Sequence, residues 1–110
     1  MSRWQTVCSV ADLQPDVGVC ALVEGLQVAL FYMPKERAVF AVNNYDPYGH
    51  ANVLSRGIIG DIGGQPVISS PLYKQHFNLN TGACLEDATV TIPAYAARIE
   101  NGSVQVRIGK

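Results

Sequence analysis

The chain is poor in charge, and the charges it has are of mixed sign. Of its 110 residues 15% are charged, and the formal net charge is −1. No run of lysine or arginine occurs, which argues against nucleic acid or an anionic membrane as a partner. The longest apolar runs, such as residues 28–33, are far shorter than the roughly 20 residues that a membrane-spanning helix needs. Because residues 1–5 open no signal-peptide hydrophobic region, we expect a cytoplasmic protein.

Cysteine is also scarce. Cys8, Cys20 and Cys84 are odd in number, and no two are spaced as C-x-x-C, so neither a disulfide framework nor a zinc site is predicted. Cys8 and Cys20 lie within apolar stretches, and we expect both to be buried as small hydrophobic residues in the reduced state. A reactive thiol needs a nearby base or cation, and the sequence indicates none, so no reactive cysteine is predicted.

The sequence lacks a helical pattern, and its apolar residues recur with a period of two. Short apolar segments alternate with glycine or proline turns, which predicts a packed antiparallel sheet or barrel. Strands are expected at residues 18–23, 27–33, 38–42, 56–62, 65–69, 95–100 and 104–108. The last two flank Asn101-Gly102, the residue pair typical of a type I′ hairpin turn. With 48% apolar residues, the chain is expected to fold as one all-β domain spanning residues 1–110.

The composition changes between residues 42 and 89. This stretch holds six of the ten glycines and three of the six prolines. Such density indicates tight loops on a β scaffold, where binding and catalytic sites are commonly built. Its two most distinctive loops are residues 44–49, which read N-Y-D-P-Y-G, and residues 67–82, which read V-I-S-S-P-L-Y-K followed by Q-H-F-N-L-N-T-G.

These two loops resemble the two cluster-binding boxes of Rieske proteins, C-P-H-x-G and C-P-x-H-G. In that family two cysteines hold one iron of the cluster and two histidines hold the other. Here Asp46 and Ser70 stand at the cysteine positions, and Tyr48 and Tyr73 stand at the histidine positions. The resemblance implies a Rieske-like antiparallel β-sandwich or barrel of the iron–sulfur-protein type. Residues 44–82 would form its cluster-binding-like subdomain and bring the two loops together at one tip.

The substituted residues predict that this chain binds no metal. Asp46 and Ser70 offer hard oxygen atoms where the cluster needs soft thiolates. A mononuclear site formed by Asp46 with His50 or His76 is the alternative, but these histidines are offset from the ligand positions and have no metal-motif spacing. We expect the replaced residues to fill the vacated site, with Asp46 accepting backbone N–H groups as Asx residues do in turns.

The resemblance extends over nearly the whole chain and favours one branch of the family. The chain resembles the Rieske-like small subunits of bacterial NAD(P)H-dependent nitrite reductases, which often lack the cluster ligands. The segments that carry this resemblance are residues 4–8, 13–22, 39–44, 53–57, 70–75 and 95–106. The Ser-Pro-Leu-x-Lys-Gln form of the second box is the most specific of them.

Membership of that branch implies a large-subunit partner that carries FAD, sirohaem and an iron–sulfur cluster and reduces nitrite to ammonium in nitrate and nitrite assimilation. The chemistry would belong to those cofactors. The small subunit would hold no cofactor, would have no independent activity, and would support or orient the large subunit. The sequence leaves NADH or NADPH open as the electron donor, because that site would lie on the large subunit.

The predicted docking face is the loop tip. We expect an exposed pair, Tyr48 and Tyr73, beside Arg56 and Lys74, because aromatic and basic side chains are enriched among interface anchors. The alternative is that the two rings are only half-buried loop packing. The full set of residues predicted to bind the partner is Tyr48, His50, Arg56, Tyr73, Lys74 and His76.

Two other function classes remain open from the sequence. One is a Rieske-type ferredoxin that carries electrons to an oxygenase system, which the fold would suit but the missing ligands oppose. The other is a free-standing binding or catalytic domain that uses the vacated pocket, with Asp46 and a nearby tyrosine or histidine as acid and base. The sequence offers no positioned nucleophile, base and orienting residue for such catalysis.

Overall fold

The computed structural model describes residues 3–15, 17–72 and 74–108. Within these ranges the regular structure is almost entirely β, with three single-turn 3-10 helices at Val10–Asp12, Pro34–Glu36 and Leu54–Arg56. The strands are β1 (Trp4–Ser9), β2 (Val19–Val23), β3 (Leu26–Met33), β4 (Ala38–Asn43), β5 (Tyr45–Asp46), β6 (Ala51–Asn52), β7 (Ile58–Ile62), β8 (Gln65–Ser69), β9 (His76–Asn78), β10 (Ala94–Glu100) and β11 (Ser103–Arg107). The all-β prediction is confirmed, and all seven predicted strands are present within two residues of their expected bounds; the strand expected from residue 56 begins at Ile58, because Arg56 ends the third 3-10 helix. In the described part of the chain no helix is long and apolar enough to cross a membrane.

The larger sheet is an antiparallel, nearly closed barrel. Its six strands run in the order β1-β11-β10-β4-β3-β2, and the two outer strands, β1 and β2, line a common cleft. Alternate side chains point into the barrel, where Val28, Leu30 and Ala41 pack with Val106. The predicted barrel is therefore present, with a seam between β1 and β2.

Two-residue hairpin turns set the register of three strand pairs, one of which is β2–β3, joined by Glu24 and Gly25. Asn101 and Gly102, with φ of 50° and 80°, connect Glu100 to Ser103 as the predicted type I′ turn. Gly63 and Gly64 connect β7 to β8 in the same way, with φ of 60° and 82°. Positive φ at both turn positions matches the right-handed twist of the flanking strands.

A smaller sheet of β7, β8 and β9 lies against the barrel. One core cluster joins the two, because Ile68 and Phe77 of the small sheet pack with Phe31, Val42 and Leu54. All five side chains are fully buried. The loops that precede β7 and β9 are thus held on a rigid base of two packed sheets.

The predicted burial of two cysteines is wrong. Cys20 is exposed and Cys8 is only partly buried, whereas Cys84 is buried. The reason is that β2 is an edge strand of the barrel, so Cys20 and Leu22 lie on its outer, solvated face. A continuous apolar run therefore did not mean burial on both faces. For Cys8, partial burial and the nearby Asp12 carboxylate raise the pKa of the thiol.

Candidate functional site

The first loop, residues 45–52, is organised around the buried side chain of Asp46. Its Oδ1 accepts a hydrogen bond from the Tyr48 backbone N–H at 2.9 Å. The Asp46 carbonyl oxygen accepts from the His50 N–H at 2.8 Å, and His50 has a left-handed φ of 53°. Asp46 is fully buried and forms the expected Asx turn, which closes the strand pair β5–β6.

The second loop, residues 70–75, is organised around Ser70. The Ser70 N–H donates to the Gln75 carbonyl at 2.9 Å, and the Ser70 carbonyl accepts from the Lys74 N–H at 3.1 Å. The Ser70 hydroxyl oxygen also accepts from the Leu72 N–H at 3.2 Å. Tyr73 lies outside the described residues, so its predicted position at the tip is not addressed by the structure.

One side-chain hydrogen bond joins the two loops, which together form the loop tip. The Ser70 hydroxyl donates to Asp46 Oδ2, and both residues are buried. Beside this bond, Gly49 packs so closely on Leu72 that a Cβ at Gly49 would overlap Leu72 Cδ1. Asp46 and Ser70, the residues at the two cysteine positions, therefore meet in space as the resemblance implied.

Tyr48 is not the exposed anchor that the sequence predicted. Its side chain is half-buried against the core, and its ring centroid lies 6.3 Å from that of Phe77. Its hydroxyl lies 3.6 Å from Cys84 Sγ. The hydrogen bond with the Cys84 thiol, together with burial, raises the pKa of Tyr48 to about 12, so the phenol stays neutral at physiological pH. Tyr48 is therefore less exposed than predicted, and its part in binding a partner stays a prediction.

A third segment, residues 84–87, borders the tip through His76. His76 Nδ1 lies 2.6 Å from Glu86 Oε2, and the His76 N–H donates to Glu86 Oε1 at 2.8 Å. Although burial opposes the effect, these hydrogen bonds from His76 hold the pKa of Glu86 below its usual value. No local sequence pattern indicated Glu86 or the Tyr48–Cys84 contact, because both depend on pairings between distant segments.

The remaining predicted partner-binding residues are not all at the tip. His50 is exposed at the end of the first loop, with Nδ1 3.1 Å from the Tyr45 hydroxyl. Lys74 is exposed in the second loop. Arg56 instead lies in the 3-10 helix Leu54–Arg56, which packs against β2 and β3 of the barrel. The structure therefore brings His50, Lys74 and His76 close to the paired loops and places Arg56 at their base.

Asn44 anchors the first loop to the barrel, and sequence reasoning did not single it out. Its side chain is buried and donates to Gln27 Oε1 and to the Asn52 carbonyl, each at 3.2 Å. Its Oδ1 accepts from the Ser55 N–H at 2.7 Å. Because asparagine side chains commonly bond to nearby backbone in turns, the Asn43-Asn44 pair before the loop was the available signal.

Two packed antiparallel sheets that carry a pair of joined loops define a Rieske-like domain. A family model described as the Rieske-like [2Fe-2S] domain matches residues 3–107. The ferredoxin of carbazole 1,9a-dioxygenase from Nocardioides aromaticivorans shares the fold, with a TM-score of 0.79 at 22% identity over 94% of this chain and 95% of that chain.

Almost the full length is similar to one kind of Rieske-like protein. The nitrite reductase (NADH) small subunit of Salmonella typhimurium is 46% identical over 107 residues, which cover 97% of this chain and 99% of that protein. The NMR structure of the Escherichia coli protein NirD has a TM-score of 0.90 at 43% identity and covers 100% of both chains. The chain therefore belongs to the Rieske-like family of nitrite reductase small subunits.

A further relative is a large subunit. The nitrite reductase [NAD(P)H] large subunit of Klebsiella oxytoca is 38% identical over 103 residues, which cover 94% of this chain but 11% of that protein. In that relative, a segment similar to 94% of this chain is part of the large-subunit polypeptide.

The residues of the loop tip do not fit the cluster that the family model names. Such a cluster needs two thiolates and two imidazoles, whereas Asp46 and Ser70 present oxygen atoms that already bond to each other. Tyr48 is a neutral phenol engaged with Cys84. Among the described residues, no group of three or more histidine, cysteine, aspartate or glutamate side chains is arranged to hold a metal ion. No reaction step through a cluster follows from this site.

Proposed function

We propose that this chain is the non-catalytic small subunit of an NAD(P)H-dependent nitrite reductase, and that it supports or orients the large subunit. The observation that carries the proposal is the 46% identity to a nitrite reductase small subunit over 97% of the chain. The reduction of nitrite to ammonium takes place on the large subunit, in the cytoplasm, with FAD, sirohaem and an iron–sulfur cluster. The chain itself holds no cofactor, and residues 1–110 act as one domain with residues 44–82 as its loop-bearing part.

The similarity to a large subunit supports direct contact between the two partners. The matching segment of the Klebsiella oxytoca protein is 38% identical to this chain. Covalent linkage in one relative raises the effective concentration of the two parts for each other. Where they are separate chains, the same contact has to be made by a non-covalent interface.

The loop tip is the proposed docking face. Tyr45 and Leu72 in the paired loops are 41% and 48% exposed, and Leu85 in the bordering segment is 39% exposed. Exposed apolar side chains of this kind are typical of protein interfaces where they form a patch. His50, Lys74 and His76 supply a polar rim around them. Tyr48, also predicted to bind the partner, would contribute by packing under the first loop and supporting its shape. Tyr73 and Arg56 are the other members of the proposed partner-binding set.

The test is binding and turnover with the purified large subunit. Leu72→Asp places a charge at the centre of the tip, and we expect it to raise the dissociation constant at least about tenfold, with a matching loss of nitrite-dependent NAD(P)H oxidation at limiting subunit concentration. Leu22→Asp is the matched control, because Leu22 is 73% exposed on the outer face of β2. Leu72 is a better probe than Tyr48, whose truncation would also damage the core.

Two outcomes would contradict these proposals separately. Failure of the wild-type chain to bind any sirohaem flavoprotein would overturn the assignment as a small subunit. Binding that is unaffected by Leu72→Asp, and by Tyr48→Ala and Tyr73→Ala in variants that remain folded, would show that the tip is the wrong face.

A further inference from the structure

Two arginines lie on the single tryptophan of the chain, on the outer face of β1, β11 and β10. The guanidinium carbon of Arg98 is 4.2 Å from the centroid of the Trp4 ring, and that of Arg107 is 4.8 Å away. The strand register creates this arrangement. Trp4 pairs with Arg107, which pairs in turn with Ala96, and the small Ala96 side chain leaves room for Arg98 to reach the indole.

Hydrogen bonds hold Arg98 in this orientation. Its Nε donates to Gln105 Oε1 at 2.7 Å, and Gln105 Nε2 donates to Thr6 Oγ1 at 3.2 Å. Glu100 lies two residues further along β10 on the same face and is exposed. No ion pair forms between it and Arg98: within the described ranges, His76–Glu86 is the one pair at salt-bridge distance.

Each guanidinium group is stabilised by its cation–π contact with Trp4, but neither is paired with an anion in the described part of the chain. Two positive charges share one ring and repel each other, and Arg107 Nε is buried without a hydrogen-bond acceptor. A buried donor left unpaired carries a desolvation cost that an acceptor would remove. An anion bound beside Arg98 and Arg107 would offset the repulsion between the two charges. The planar guanidinium fork matches a carboxylate in particular, because it can donate two parallel hydrogen bonds to it.

We propose that this face, defined by Trp4, Arg98 and Arg107, binds carboxylate side chains of an acidic segment of the large subunit. It is a second contact besides the loop tip, and it rests on the proposed function. A partner is favoured over a free small anion because the face is an exposed sheet surface, and a single exposed ionic contact is weak. A carboxylate delivered by a partner that is already bound gains from a high effective concentration.

The experiment measures the dissociation constant of the small–large subunit complex at low and moderate salt. Arg98→Glu reverses a charge on an exposed side chain, and we expect about tenfold weaker binding and a flatter salt dependence. Arg107→Lys keeps the charge but loses the fork, and we expect about threefold weaker binding. Lys35→Glu is the matched control, since Lys35 borders a separate groove beside β7, and its effect should be small.

The outcomes are distinguishable. No binding by the wild-type chain overturns the proposed function and this inference with it. Wild-type binding that Arg98→Glu and Lys35→Glu leave equally unchanged overturns this inference alone. Titration of the isolated chain with nitrite or inorganic phosphate, followed by Trp4 fluorescence, tests the alternative that a free small anion binds this face. A saturating response at millimolar concentration that Arg98→Glu abolishes would make this a small-anion site and overturn the assignment to the partner.

Discussion

At the scale of single residues, the Asp46–Ser70 hydrogen bond is what joins the two loops. In a cluster-bearing Rieske protein, both loops are tied through their bonds to the metal cluster. Here Asp46 Oδ1 orders its own loop, while Oδ2 accepts from Ser70 of the other loop. Because both residues are buried, each depends on the other to satisfy its hydrogen-bonding groups.

Removal of the Ser70 hydroxyl should therefore destabilise the fold. In Ser70→Ala, Asp46 Oδ2 loses its donor in a buried site, and the expected loss is about 1–3 kcal/mol in the free energy of unfolding. Urea denaturation followed by Trp4 fluorescence would measure it. Ser103→Ala is the control, because it also removes a serine hydroxyl but lies on the barrel hairpin, away from the two loops. Equal stability of Ser70→Ala and wild type would mean that the two loops are held by packing alone.

At the scale of elements, the paired loops are bordered by residues 84–87, which the His76–Glu86 contact ties to β9. The Leu85 N–H also donates to the His76 carbonyl at 2.8 Å. Since the pKa of Glu86 is lower in the folded chain than its ordinary value, ionised Glu86 favours the folded state. That contribution is present above the ordinary glutamate pKa of about 4.3 and is lost as pH falls through the lower, folded-state value.

Glu86→Gln should reproduce this loss at neutral pH. We expect a decrease of at most about 1 kcal/mol in the free energy of unfolding at pH 7, because the pair is partly exposed to solvent. Between pH 7 and a second, acidic pH below the lowered pKa of Glu86, the difference from wild type should vanish, because both chains then carry a neutral side chain at position 86. Chemical denaturation at the two pH values checks this, and a difference that persisted at low pH would rule out the ionic contribution.

The elements also show what the sequence could and could not predict. The hairpin at Asn101-Gly102 was predictable because a type I′ turn is a local preference of its own two residues. The burial of Tyr48 was not, because it is decided by Phe77 and Cys84 on other segments. The exposure of Cys20 followed from the edge position of β2 in the barrel, which depends on pairings across the whole chain.

At the scale of the whole molecule, the two proposed contact regions lie on different elements. The loop tip consists of β5, β6 and the turn between them together with the loop that precedes β9, and the Trp4 face is built on β1, β10 and β11. A domain that binds through both would be fixed in orientation as well as in position, because two separated contacts leave little rotational freedom. This arrangement suits a subunit that orients a partner.

Iron content distinguishes a cofactor-free subunit from the ferredoxin alternative, which requires a bound iron–sulfur cluster. We expect the protein purified anaerobically from its own cells to be colourless and to contain far less than one iron atom per chain by metal analysis. The physical reason is that oxygen atoms stand where the cluster needs thiolates. A brown protein with about two iron atoms per chain would restore the electron-carrier interpretation.

The bond between Asp46 and Ser70 also bears on how the subunit is made. A tip held by two ordinary side chains reaches its final shape as soon as the chain folds. If the chain binds no cluster, as proposed, its folding would need neither iron nor a sulfur donor. Such a subunit would stay competent for assembly during iron starvation, and maturation of the enzyme would then depend on the large subunit.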